Sequence, residues 1–164
     1  MAIKFIKLYY PGQHEKKPKE DVWTLDEKHL IFAVADGVAL YENIEYRNKY
    51  PNPSPAGKIA QKFCTYFVKY ARHTNIKDAF KKANRAVLVS NKNRDRWNPE
   101  KAKLYYAATA AFGRIKGRYL EWGHICDAGI AAVAPNGEFM FLDDKCGSAN
   151  NFTNPDMPSL SLSK

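Results

Sequence analysis

The residues of this chain best suited to do chemistry are carboxylates: Glu20-Asp21 at the start of one apolar segment and Asp36-Gly37 at the end of another. The second segment, Leu30-Ile31-Phe32-Ala33-Val34-Ala35, runs without interruption into Asp36, as a buried strand does when it delivers one carboxylate to its exposed end. Gly37 has no Cβ, so the backbone there can turn sharply and bring its own carbonyl close to whatever Asp36 binds. Asp-Gly after a core strand is also a plain turn signal, so the weight falls on the first pair. Val22-Trp23-Thr24-Leu25 reads as a strand that turns at Asp26-Glu27 into the Leu30 segment, a hairpin with Glu20-Asp21 at its open end. The start of the first strand and the finish of the second are then neighbours, which predicts that Glu20, Asp21 and Asp36 converge. Three carboxylates at one strand end repel one another unless a cation sits among them.

The elements that must position these residues follow from periodicity and punctuation. Residues 2–9 alternate Ile3, Phe5 and Leu8 with Lys4 and Lys7, which predicts a half-exposed first strand ended by Pro11-Gly12. A loop rich in Asn, Tyr and Pro, residues 41–53, should cross the surface near the carboxylates. Ser54-Pro55 is a helix start, a capping hydroxyl followed by a proline whose missing N–H costs nothing at the first position. Ala56, Ala60, Phe63, Phe67 and Ala71 keep helical spacing, with Lys58, Lys62 and Lys69 on the other face. Asn75 can cap a second helix with Ile76, Phe80, Ala83 and Val87 as its stripe, and Trp97-Asn98-Pro99 should break the chain before the next strands. Tyr105 to Ile115 and Arg118 to Cys126 flank a Lys116-Gly117 turn, and Asp127 follows directly. Gly129 to Ala134 and Glu138 to Leu142 flank Asn136-Gly137, a strong hairpin signal. The pattern gives an α+β domain over residues 1–146, with an irregular or disordered tail at 147–164.

Composition narrows the class. A chain of 164 residues with 45% hydrophobic content can bury one core without staples. Cys64, Cys126 and Cys146 are odd in number and widely spaced, which argues against a disulfide framework or zinc knuckle and for a reducing, cytoplasmic setting; Cys64 and Cys126 read as buried small hydrophobes. The N-terminus has no apolar signal-peptide core, and no run approaches a membrane span. A net charge of +9 would attract nucleic acid or phosphorylated ligands, yet there is no arginine-rich tract and no glycine-aromatic RNA-binding motif. His14, His29, His73 and His124 lack ligand spacing, and nucleophile-elbow, phosphate-loop and dinucleotide motifs are absent.

Four stretches in order resemble the successive motifs of the metal-dependent type-2C protein serine/threonine phosphatases: Lys19-Glu20-Asp21, Phe32 to Val38, Ala107-Ala108-Thr109-Ala110-Ala111, and Ile125-Cys126-Asp127-Ala128-Gly129 followed by Asn136-Gly137. The resemblance covers roughly residues 1–145 and implies two antiparallel β-sheets packed as a sandwich with helices on the outside. It further implies a centre of Mg²⁺ or Mn²⁺ in which Asp36 bridges two ions, Gly37 offers its carbonyl, Glu20 and Asp21 hold metal directly or through water, and Asp127 serves a third ion. Lys16 falls near the place of a phosphate-binding arginine, and as a lysine it offers a point charge in place of a two-pronged fork. A metal-bridging water would then attack phosphorus in line, without a covalent phospho-enzyme.

The departures are specific. Val38 stands where some members carry a histidine; Cys126, Ala128 and Gly129 replace the usual Gly, Ser and Arg; and the two later metal aspartates have no match, since Asp143, Asp144 and Asp156 sit in other contexts. The chain thus reads as the N-terminal two-thirds of such a domain. Two functions from different classes follow: a metal-dependent phosphomonoesterase acting on phosphoserine or phosphothreonine proteins, or a catalytically impaired phosphatase-fold module whose basic surface binds phosphorylated or nucleic-acid partners.

Overall fold

The computed structural model describes residues 19–38, 53–94, 107–126, 128–133, 136–141 and 159–161. Lys16, the expected first strand, the Trp97-Asn98-Pro99 break, Asp127 and nearly all of the loop before Ser54 lie outside these residues.

Strands β1 (Asp21–Asp26) and β2 (Ile31–Val38) form the expected hairpin, but its turn is residues 27–30, so Asp26 pairs within the ladder and Leu30, at φ 54°, belongs to the turn. Helices α1 (Pro55–Ala71) and α2 (Ile76–Arg94) follow, each started by the residue the sequence marks. The Ser54 hydroxyl accepts from Gly57 N–H at 3.0 Å, and the Asn75 side-chain carbonyl accepts from Asp78 N–H at 2.8 Å. Strands β3 (Ala107–Lys116) and β4 (Tyr119–Ile125) then pair through a two-residue turn in which Gly117 takes φ 60°. β5 (Ala131–Val133) and β6 (Phe139–Phe141) pair around Asn136-Gly137, and β7 is Ser159–Ser161.

The main sheet has the order β1-β2-β3-β4-β7, all antiparallel, and both helices lie on one face of it. That face is built of small residues, Ala33, Ala35 and Ala110, with Ile31 and Phe112, so α1 can come close and fill the space with Phe63 and Phe67. Phe112 is the centre of the core, its ring 4.5 Å from Phe67, 5.5 Å from Phe80 and 5.7 Å from Phe63, centroid to centroid. The other face carries Phe32, Trp122 and Leu120 with Ile115 and Ile130 as a smaller cluster.

The class is α+β, but the described residues differ from the expected two-sheet sandwich. They form one main sheet with helices on one side, and the second sheet is only the short β5–β6 hairpin. The tail expectation also changes in part: Ser159–Ser161 pairs with Tyr119–Glu121 as β7, because the outer edge of β4 presents unpaired N–H and C=O groups that a passing extended segment satisfies.

Two polar clusters fix α1 at its C-terminal end. Asp26, almost buried beneath the helix, accepts from Arg72 Nε at 2.6 Å and meets His29 Nδ1 at 2.8 Å. Burial pushes the Asp26 carboxyl up, but the hydrogen bonds from His29 and Arg72 outweigh it and hold the pKa at about 2. Arg114 donates to the carbonyls of Ala71 and Thr74 at 2.8 and 3.1 Å while pairing with Glu121, its cross-strand neighbour.

Candidate functional site

The antiparallel register of β1 and β2 places Asp21 directly opposite Asp36, and Gly37 N–H donates to the Glu20 carbonyl at 3.1 Å. The three backbone positions expected to converge therefore do so at one end of the sheet. Their side chains part company. Asp21 and Asp36 share the face away from the helices, both exposed, in a row with the opposed and partly exposed pair Trp23 and Val34. Directly opposed residues on one face have Cβ atoms about 5 Å apart, so the two carboxylates spring from neighbouring positions.

Glu20 faces the other way. Its Oε1 accepts from the Ser54 hydroxyl at 2.7 Å, and that hydroxyl in turn accepts from Gly57 N–H. Ser54 is 1% exposed, so its donor and acceptor capacities are both satisfied out of water. The first turn of α1 contains no acid of its own; Glu20 supplies, from β1's entry, the negative charge that a helix N-terminus favours. Alternation along an extended chain was the signal for this split, because the adjacent Glu20 and Asp21 cannot share a face.

Gly37 has a packing role beside the carbonyl role expected of it. A Cβ on Gly37 would lie 2.4 Å from Ala56 C and 2.7 Å from Gly57 N, so the missing side chain is the space into which the first turn of α1 fits. Gly57 repeats the arrangement toward β1, where its Cβ would meet the Lys19 carbonyl at 2.5 Å. Ser54, Ala56 and Gly57 thus belong to the structure of this strand end. A Ser-Pro-small-Gly helix start following an Asp-Gly strand end was the available sign of it.

Thr109 lies opposite Asp36, and β4 ends at Ile125, opposite Ala110, so the chain leaves β4 at the same end of the sheet that carries the carboxylates. Cys126 departs from expectation: it is exposed and takes φ 59°, because it sits on the turn out of β4 and not within the sheet. Cys64 is fully buried as expected, with burial pushing its thiol up to about 12. His124 stacks on Trp122, with ring centroids 5.9 Å apart.

As to a metal, Asp21 and Asp36 are two exposed carboxylates on a shared face, the ligand type that a hard divalent cation takes. Glu20, with an oxygen committed to Ser54, is not presented with them, and among the described residues no group of three His, Cys, Asp or Glu side chains is placed to hold an ion. No helix among the described residues is long and apolar enough to cross a membrane. No family model and no curated protein matches this chain.

Proposed function

We propose that the chain carries the metal-binding strand end of a phosphomonoesterase that acts on phosphoserine or phosphothreonine in proteins with Mg²⁺ or Mn²⁺. The observation that supports this most is the direct pairing of Asp21 with Asp36 at an exposed strand end, which sets two carboxylates, the ligand type a hard divalent cation takes, on one face. Asp36 and Asp21 would hold the cation, and Asp127, which follows the end of β4, would serve a further ion. When bound, such an ion supplies a water of lowered pKa and positive charge for the phosphoryl oxygens.

The chain's own residues do the positioning. Gly37 and Gly57 let α1 close on the strand end, and the Gly57–Ser54–Glu20 hydrogen bonds hold β1, β2 and the helix in register, so that Asp21 and Asp36 keep their spacing. Glu20 acts here as a positioning residue, a different part from the ligand role the resemblance implies. Lys16 would attract the phosphate as a point charge.

The test is calorimetric titration of Mn²⁺ into the wild type, Asp21→Asn and Asp36→Asn, beside turnover of a phosphothreonine peptide. Asp36→Asn should weaken binding by about tenfold or more, since it removes charge from the pair that holds the ion. Unchanged Mn²⁺ affinity in Asp36→Asn would refute the site. Clear binding without turnover would instead favour the non-catalytic module, a reading that the charge on the helix pair also supports.

A further inference from the structure

The positive charge of this protein is concentrated on its helices. α1 carries Lys58, Lys62 and Lys69 and no acid, while α2 carries Lys77, Lys81, Lys82, Arg85, Lys92 and Arg94 against a single acid, Asp78. Those nine bases and one acid leave a formal +8 on the helix pair, out of +9 for the chain. The ion pairs of Asp26 with His29 and Arg72 and of Arg114 with Glu121 involve none of these nine bases. An excess of positive charge on one layer creates a potential that a polyanion is drawn to.

Charge alone would be a solvated surface, but here it is interleaved with aromatic rings around a cavity. A cavity of about 300 Å³ lies between α1 and α2, lined by Lys62, Tyr66 and Tyr70 from one helix and Lys82, Arg85 and Val89 from the other. Tyr66 and Tyr70, one turn apart, are stacked with centroids 5.8 Å apart and planes 27° from parallel. Lys62 and Lys69 each lie 5.9 Å from the Tyr66 ring centre, and Lys82 lies 5.7 Å from that of Tyr70. Lys62 is further held by the Ser90 hydroxyl of α2. Two half-buried phenol rings on an apolar floor, bordered by cations from both helices, offer stacking surface and phosphate contacts together. Its volume, at the small end of ligand cavities, suits one nucleoside at a time.

We propose that this groove binds single-stranded nucleic acid, with a base stacked on the Tyr66–Tyr70 pair and the flanking phosphates held by Lys62, Lys82 and Arg85. Aromatic platforms beside a basic track are how single strands are held without regard to sequence. A phosphorylated peptide would use the cations but not the rings, which is why the nucleic acid is the better fit. None of the lining residues comes from the sheet, so the groove is separate from the Asp21–Asp36 strand end.

The experiment is fluorescence anisotropy of a labelled oligouridylate of about 12 nucleotides, within the usual site size of a single-strand binder, titrated with the whole chain in EDTA. The chelator keeps the outcome independent of the metal-site reading. Lys82 and Arg85 are both exposed, so Lys82→Glu/Arg85→Glu should fold normally, which an unchanged thermal melt would confirm. It should lose binding by about tenfold or more and flatten the dependence of log K on log salt by roughly 1.4, the slope for two phosphate contacts on a single strand. Tyr66→Phe should bind within about twofold of wild type and Tyr66→Leu about tenfold more weakly, the size of one lost stacking contact. Lys116→Glu/Arg118→Glu, at the β3–β4 turn, should bind as wild type. The proposal fails if the oligonucleotide does not bind, if the turn variant loses as much as the groove variant, if Tyr66→Leu binds like Tyr66→Phe, or if a phosphothreonine peptide binds the groove in preference to the oligonucleotide.

Discussion

Replacing Gly37 by Ala tests whether this glycine serves the packing of α1 or only the chemistry of Asp36. The added methyl would sit 2.4 Å from Ala56 C, 2.5 Å from its carbonyl oxygen and 2.7 Å from Gly57 N, all of them backbone atoms of the first helical turn. Backbone cannot swing aside as a side chain does. Normal carbon–carbon contact needs about 3.5 Å or more, so the helix N-terminus must retreat by about an ångström. That retreat strains the Ser54–Glu20 hydrogen bond of 2.7 Å, made by a buried hydroxyl. Overpacking of this kind costs about 1–3 kcal/mol, and loss of a helix cap adds about 1 kcal/mol. A total of about 3 kcal/mol corresponds to a fall in Tm of roughly 6–12 °C for a domain of this size. The measurement is a thermal melt by circular dichroism with a urea midpoint beside it. Gly117→Ala is the control: its φ of 60° is strained for any Cβ, but nothing lies within 4 Å, so it should cost about 1–2 kcal/mol at most. If Gly37→Ala melts no lower than Gly117→Ala, the packing argument is wrong and Gly37 is left with its carbonyl alone.

Asp26 should make the protein sensitive to acid. Its pKa is about 2 in the fold against 3.8 for the free side chain, so its contribution is complete above about pH 5 and is lost as the pH falls toward 2. Its partners Arg72 and His29 are 44% and 42% exposed, so solvent screening reduces the effect to about 1–2 kcal/mol; urea midpoints should show a shallower acid-side loss for Asp26→Asn, and an identical acid profile would contradict the reasoning. Cys64, whose thiol is raised to about 12 by burial, should stay unmodified by a maleimide in the native protein while exposed Cys126 reacts. Peptide mass mapping reads both sites, and equal labelling of the two without denaturant would show that the helix layer opens.

Much of the local structure is legible in the residues, because it depends on neighbours in the chain. Ser54-Pro55 and Asn75 start the helices, and Gly117 and Asn136-Gly137 lie in the turns between paired strands, since capping and turn chemistry act over three or four residues. The meeting of the hairpin's two free ends is legible for the same reason, but the register that sets Asp21 against Asp36 depends on a turn at residues 27–30, where the sequence points to Asp26-Glu27. What each face of that hairpin meets was decided only by tertiary packing. Alternation separates Glu20 from Asp21, but only the arrival of α1 turns Glu20 into the partner of Ser54 and makes Gly37 a socket for Ala56. The pairing of β7 with β4, the exposure of Cys126 and the meeting of Tyr66 and Tyr70 with Lys82 and Arg85 likewise join segments remote in sequence or depend on where a strand leaves its sheet. No local pattern encodes such contacts; they follow from the apolar faces of two helices and a sheet finding the one arrangement that buries Phe63, Phe67 and Phe112 together.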